Sequence, residues 1–299
     1  MNELPVVYVV FPVFNRLKET IQFLECMSKQ DYARVKTVIC DDGSTDGTGD
    51  FLREQGNVVT VQGTGDLWWA GGINRCVEYV LKEAGENDLV LTINNDVTIG
   101  VDYISQKVYR SIELQDSIIG SICVYQSDHN VIETSGEVMN YATCRSKSLV
   151  KHGTKRSEIS LHGCVPATHV PGKGVLIPVK VFRELGLYDS RGLPHYHADS
   201  DFTLRAHEHG IPVYVDFDSI VYSDVNIGNM NQASKITLKG IIRTFDSKRG
   251  VNSFPAYLGF ARNHFKGRVF RYLFVNYTMI ILGLCRRYLY SRFQRGRSV

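Results

Sequence analysis

Three apolar runs in this chain each end abruptly in side chains able to do chemistry. Val9-Val10-Phe11-Pro12-Val13-Phe14 is followed by Asn15, Val38-Ile39-Cys40 by Asp41-Asp42-Gly43-Ser44, and Leu89-Val90-Leu91-Thr92-Ile93 by Asn94-Asn95-Asp96. If the runs are parallel strands, the clusters gather at one edge of a sheet, where open α/β sheets collect their ligands. Carboxylates and amides there can accept hydrogen bonds from a ligand, and carboxylates are hard oxygen donors. Each cluster alone also reads as ordinary strand-to-helix turn or cap chemistry. Their recurrence on successive strands is the stronger signal.

The elements that would bring the clusters together follow from periodicity. Strand-like runs at 5–11, 35–40, 58–62, 89–93 and 118–125 alternate with helical patterns at 16–29, 46–55, 70–83 and 103–114. This rhythm predicts an α/β fold with a mostly parallel, Rossmann-like sheet flanked by helices. Beyond residue 125 the pattern loosens into polar strands and loops, with a turn at Pro171-Gly172-Lys173-Gly174. A short helix is expected at 179–185, a longer one at 199–209, and strands at 212–215 and 219–222. We read residues 1–230 as one domain, with a ligand-binding half at 1–125 and a second half at 126–230. Residues 231–299 are expected to be a helical, basic C-terminal extension.

Composition narrows the partners. With 34 Lys and Arg against 31 Asp and Glu, the formal charge of +3 gives no basis for nucleic-acid binding. Seven cysteines without CxxC pairs fit a reducing compartment better than a disulfide framework. The apolar N-terminus lacks a basic flank and reads as a first strand rather than a signal peptide, so a cytoplasmic location is expected. Val269–Cys285 is largely apolar but contains Arg271 and Asn276 and lies between basic clusters. It reads equally as a helix resting on anionic lipid, at the inner face of a cell membrane, or as a core or interface helix with a solvated basic tail.

The runs Phe11-Pro12-Val13-Phe14-Asn15-Arg16 and Cys40-Asp41-Asp42-Gly43-Ser44-Thr45-Asp46-Gly47-Thr48 resemble the start of a family 2 glycosyltransferase of the GT-A fold. Gly65-Asp66-Leu67-Trp68-Trp69-Ala70-Gly71-Gly72-Ile73-Asn74 is similar to that family's glycine-rich segment, Asn94-Asn95-Asp96 to its metal motif, and Ala198-Asp199-Ser200-Asp201 to its catalytic acidic motif. In order and spacing these cover roughly the first 225 residues.

The resemblance implies a nucleotide-sugar donor, linked through UDP, dTDP or GDP. Pro12 and Phe14 would line the base, Asp41 or Asp42 would accept from the base or ribose, and Asn15, Asn95 and Gly172 would complete the donor site. Gly71 and Gly72 would let the backbone approach the diphosphate ahead of a helix that carries Asn74. Asp96 would hold Mg²⁺ or Mn²⁺ against the diphosphate, with Asn94 standing where the family has an acid. Asp199 would be the general base, in an inverting displacement, with Ala198 in place of the usual Glu. Asp201 is a second candidate base, although its position suits a helix cap. Where the family has a metal-binding His this chain has Asp224, which is either an oxygen ligand or a surface residue. Trp68 and Trp69 either flank the donor or belong to the core. Lys173 points either to the diphosphate or to solvent, and His195 and His197 either contact acceptor or phosphate or are solvated.

The basic apolar C-terminus then suggests a glycan or lipid-linked glycan acceptor, as in bacterial surface-polysaccharide synthesis. Two other readings stand beside this one. A sugar-nucleotide nucleotidyltransferase would need a glycine-rich basic N-terminal loop, which Val10–Arg16 is not. A non-catalytic nucleotide-sugar-binding subunit is consistent with the absent Glu and His.

Overall fold

A computed structural model describes residues 3–223, 245 and 252–295, with side chains as far as residue 286. The order begins β1 (Val7–Val13), α1 (Leu17–Met27), β2 (Val35–Asp41), α2 (Thr48–Glu54), β3 (Val58–Gln62), α3 (Trp68–Glu83) and β4 (Leu89–Thr92). These strands pair in parallel in the order β4-β1-β2-β3, as alternating βα units require. Their two-residue period is visible in the packing. Val7, Val9, Phe11 and Val13 enter one core while Tyr8 and Val10 enter the other, so both faces of β1 are covered. Each such fully buried aliphatic side chain stabilises the fold by about 1.5–3 kcal/mol. Pro12 is tolerated in this central strand because it lies past the last β1–β4 pair, Val10 with Thr92.

The chain continues through β5 (Val97–Ile99), α4 (Tyr103–Glu113), β6 (Ile118–Tyr125), β7 (Asp128–Thr134), β8 (Glu137–Asn140) and β9 (Arg145–Ser148). Next come β10 (Cys164–Ala167), β11 (Val175–Pro178), α5 (Val179–Leu185), α6 (Ala198–Glu208), β12 (Val213–Ser223), α7 (Phe254–His264) and α8 (Val269–Arg295). Here the sheet turns mixed: β11 lies antiparallel between β4 and β6, while β12 runs parallel to β6 and antiparallel to β10 and β5.

The two strands expected at 212–215 and 219–222 are one strand, β12, whose pairing with β6 slips between Asp216 and Ile220. Asp216 holds that bulge: its carboxylate accepts from the Asp218 N–H at 3.0 Å and the Ser219 hydroxyl at 2.6 Å. The helix expected at 46–55 begins at Thr48, because Asp46 serves as an acceptor in the preceding turn.

Candidate functional site

The carboxyl ends of β1, β2 and β4 form one rim, and hydrogen bonds cross it. Asn15 has a positive φ of 53°. Its N–H donates to Ser44 Oγ at 3.0 Å, and its Oδ1 accepts from Thr45 N–H at 2.7 Å. Asp46 accepts from Leu17 N–H at the start of α1 (3.0 Å) and from the N–H and hydroxyl of Thr48 at the start of α2 (3.1 and 2.6 Å). The Thr48 hydroxyl above all, with these backbone donors, holds the Asp46 pKa below the usual carboxylate value.

Asp41 and Asp42 are almost fully buried. Asp41 Oδ1 accepts from Ser44 N–H at 2.9 Å. Asp42 Oδ1 accepts from Thr64 N–H (3.1 Å) and Gly65 N–H (2.7 Å), and its Oδ2 from Leu67 N–H at 2.8 Å. Asp42 therefore organises the loop that launches α3, and a carboxylate oxygen with one donor keeps a lone pair available. Phe14, 51 % exposed, stands beside this rim.

That loop corrects the reading of the glycine segment. The helix starts at Trp68, where φ is 59°, earlier than the sequence pattern places it. Gly71 and Gly72 consequently lie buried in its first turns rather than in a loop open to a diphosphate. A Cβ on Gly72 would stand 2.4 Å from Pro12 Cβ, so this glycine lets α3 close on β1. Asn74 bonds the backbone N and O of Tyr188 at 3.0 and 2.9 Å, and Asn95 donates to Thr20 Oγ1 at 3.0 Å. Both amides brace neighbouring elements.

Around Asp96 the arrangement differs. Arg16 Nη1 reaches Asp96 Oδ2 at 3.1 Å, while Asp96 Oδ1 is shielded from solvent and has no hydrogen-bond partner. Asn94 Oδ1 accepts from Trp69 Nε1 at 3.0 Å. The Trp69 ring meets Tyr188 edge-on and lies over Gly172, where a Cβ would come within 2.8 Å of the indole and 3.2 Å of Asp199 Cβ. Gly172 N–H donates to Asp199 Oδ2 at 2.6 Å, and Ser200 N–H to Oδ1 at 2.8 Å. The Asn94–Trp69 pair, Gly172 and Asp199 thus meet at one point. Trp68 Nε1 bonds Asp66 at 2.6 Å, and its ring faces His195.

Lys173 points neither into solvent nor to an open face. Its ammonium bonds Glu133 Oε1 at 2.7 Å and Ser223 Oγ at 3.0 Å. Burial disfavours its charge, but Glu133 above all, with Asp96 more weakly, outweighs that and raises its pKa.

Asp201 is neither a cap nor an accessible base. It is fully buried, held by Asn263 at 2.7 Å and His264 Nε2 at 3.0 Å, with Arg205 at 3.6 Å. The residue at the cap position of α6 is His197, with φ 67°. Burial lowers the His197 pKa, and its shielded Nε2 has no hydrogen-bond partner. Asp224 lies outside the described residues; Ser223 before it pairs with Val97, beside Asp96.

Sequence reasoning gave no role to Arg16, Glu133 or the C-terminal helices at this site. Arg16 carried a signal, since it directly follows Asn15 at a strand end. Glu133 and the helices carried none. Beside Asp199, a cavity of about 570 Å³ is lined by Glu133, Glu137, His197 and Ser200 on one side and by Tyr257 of α7 and Ile280 of α8 on the other.

As a test of fit for a divalent cation, Asp96 Oδ1 is an orphaned, shielded oxygen of the hard type such an ion prefers. Among the described residues no group of three or more His, Cys, Asp and Glu could hold a metal. A cation at Asp96 would need further oxygen ligands from a bound diphosphate and water.

A family model described as glycosyl transferase family 2 matches residues 8–186, which includes Asp96 and Gly172 and stops short of Asp199. No curated protein sequence matches the chain. Among solved structures, a mannosyltransferase from Pyrobaculum calidifontis in complex with GDP-Man and Mn²⁺ superposes with TM-score 0.53 at 15 % identity, over 91 % of this chain and 70 % of that one. GalNAc-T7 with UDP, GalNAc and Mn²⁺ gives TM-score 0.59 at 12 % identity, over 88 % of this chain and 48 % of that one. S. aureus TarS 1-349 in complex with UDP gives 0.52 at 15 % identity, over 89 % and 72 %. At these identities the likeness establishes the GT-A fold.

Proposed function

Because the chain belongs to glycosyl transferase family 2, we propose that its rim of strand ends binds the nucleotide-sugar donor of a glycosyltransferase and that Asp199 activates the acceptor. The carrying observation is the meeting of Asp199 with the Trp69–Asn94 pair at Gly172, two residues along from Asp96. A donor diphosphate at Asp96 and Arg16 sets the anomeric carbon toward Asp199. Phe14 and the remaining lone pair of Asp42 face the base and ribose. Pro12, Gly71, Gly72, Asn74 and Asn95 serve this site by fixing α3 and the strand ends, and Asn15 and Asp41 by fixing the loops above them.

Transfer is a single displacement. The acceptor oxygen attacks C1, the bond from C1 to the diphosphate breaks, Asp199 takes the hydroxyl proton, and C1 inverts. The two backbone N–H bonds to Asp199 hold its carboxylate in one orientation for this step. Asp96 would hold Mg²⁺ or Mn²⁺, with Asp224 as the proposed further oxygen ligand. The ion would supply neutralisation of the departing diphosphate's charge. The acceptor is a hydroxyl of a glycan or lipid-linked glycan in bacterial surface-polysaccharide synthesis, reached at the cytoplasmic face of the membrane. The Mn²⁺, GDP-Man and UDP in the three related structures support the ion and the donor class.

The test is Asp199→Asn beside the wild type, read by transfer from a panel of UDP-, dTDP- and GDP-sugars and by thermal shift with Mn²⁺. Loss of transfer by about 10²–10⁴-fold with the donor-induced shift intact supports the reading. Wild-type protein whose midpoint no donor moves would sink it.

A further inference from the structure

The C-terminal helix α8 is apolar on both sides, and only one side is covered. Its inner face packs on the body: Tyr272 is 5 % exposed, Asn276 Nδ2 bonds Cys144 O at 2.9 Å, and Tyr277 donates to Asn252 O at 3.1 Å. The outer face carries Phe270 (81 % exposed), Phe274 (63 %), Ile281 (52 %) and Leu282 (59 %). Val269–Arg286 is long and apolar enough to cross a membrane by length and composition, yet 6 % of it is buried. A helix apolar all round is ordinarily enclosed, so something outside the chain covers this side.

Charge identifies what. Residues 247–299 contain eleven of the chain's 34 Lys and Arg and none of its 31 Asp and Glu, leaving 23 bases against 31 acids in the first 246 residues. The formal +3 therefore conceals a basic C-terminal segment on an acidic body. Arg262, Lys266, Arg268 and Arg271 are exposed at one end of the apolar face and Arg286 at the other. A second copy packed along α8 in either direction would set arginine against arginine, whereas an anionic lipid surface answers both ends at once. We infer that the outer face of α8 seats the enzyme on an anionic lipid surface, with Phe270, Phe274, Ile281 and Leu282 among the acyl chains and the flanking cations at the headgroups. Ile280 on the adjoining side of the helix lines the cavity that reaches His197 and Ser200 around Asp199. The surface that holds the enzyme thus adjoins the route to the base, which fits an acceptor carried by lipid and rests on the donor-and-base reading above.

The experiment is co-sedimentation of the full chain with vesicles of phosphatidylcholine alone or mixed with phosphatidylglycerol, alongside thermal shifts with UDP, dTDP and GDP in the presence of Mn²⁺. We expect binding to the mixed vesicles only, weakened about tenfold or more by Phe274→Asp with Leu282→Asp and by Arg286→Glu with Arg287→Glu, and unchanged thermal shifts in both variants. Failure of the wild type to bind mixed vesicles, or equal binding by the aspartate variant, overturns the inference. A lipid-independent dimer that the aspartate variant dissolves does so too, by assigning the face to a second copy. The thermal shift reports separately on the donor reading, since a wild type that binds vesicles but is shifted by none of the three nucleotides refutes only that.

Discussion

Gly172 is the residue on which the site turns, because two side chains, those of Trp69 and Asp199, close on it and leave no room for a third. Substituting Ala would place a Cβ 2.8 Å from the Trp69 indole and 3.2 Å from Asp199 Cβ, so one of them must move. Displacement of a reacting group by about 1 Å costs on the order of 10²-fold in rate. We expect Gly172→Ala to lower kcat by roughly that factor with an unchanged far-ultraviolet circular dichroism spectrum; wild-type kcat would refute the convergence. Arg16 gives a second prediction. Its guanidinium occupies Asp96 Oδ2 at 3.1 Å, so it competes with a cation for that carboxylate. Arg16→Ala should bind Mn²⁺ alone several-fold tighter, by titration against free-ion electron paramagnetic resonance, while its affinity for UDP with Mn²⁺ falls as a phosphate-pairing cation is lost. Unchanged Mn²⁺ affinity would show that the ion pair is incidental. At this scale the sequence was partly legible. Asn15, Asp42 and Asp96 do stand on one rim because strand ends can be read from apolar runs. That Gly72 backs on Pro12 and Asn74 on Tyr188 could not be read, because partners 60 and 114 residues away leave no local pattern.

At the scale of elements, α6 carries Asp199 near its start and is anchored by α7. His264, its side chain 1 % exposed, bridges Asp201 (3.0 Å) and Glu208 (2.9 Å) on α6, while Arg205 and Asn263 also face Asp201 and Tyr141 donates to Glu208. Burial works against the His264 charge, but the hydrogen bonds that its ring donates to Asp201 and Glu208 outweigh it and raise the pKa above 6.5. A raised folded-state pKa means that this stabilisation is complete below the unfolded-state value and disappears as pH climbs through the folded one. The wild type should therefore lose midpoint temperature relative to His264→Ala as pH rises from below 6.5 into the alkaline range. At acidic-to-neutral pH the variant should be less stable by about 3–5 kcal/mol, since it takes from the buried Asp201 carboxylate its nearest charged partner and leaves only Asn263 and the more distant Arg205. A constant difference across pH would mean that His264 is held neutral. The βα units of the first half were legible because strand and helix periods alternate there without interruption. β12 read as two strands because Asp216, Asp218 and Ser219, which build its bulge, are residues the eye takes for a turn. The α6–α7 anchor left no trace, since Asp201 looks like a cap until His264 arrives from 63 residues away.

At the scale of the molecule, the two binding events depend on different electrostatics, and salt separates them. On the proposed seating, the cationic C-terminal segment, with Arg271 and Arg286 exposed, would meet lipid across solvent, where raising salt from 0.1 to 1 M shortens the screening length from about 10 Å to about 3 Å. A donor bound as proposed would meet Asp96 through an oxygen already shielded from solvent, where screening is weak. The acidic body adds to the contrast: with 23 bases against 31 acids before residue 247, it is repelled by the same anionic surface that attracts the tail. On the proposed seating this would hold the enzyme with α8 down and limit binding through any other face. Raising the salt should therefore release the protein from phosphatidylglycerol-containing vesicles while the UDP–Mn²⁺ midpoint shift stays within about a third of its low-salt size. Vesicle binding that persists at 1 M salt would mean that α8 is held by its apolar side chains alone, as a spanning helix would be, and its arginines would then need another role. A shift that collapses together with vesicle binding would place the donor site in open solvent, against the shielding seen at Asp96.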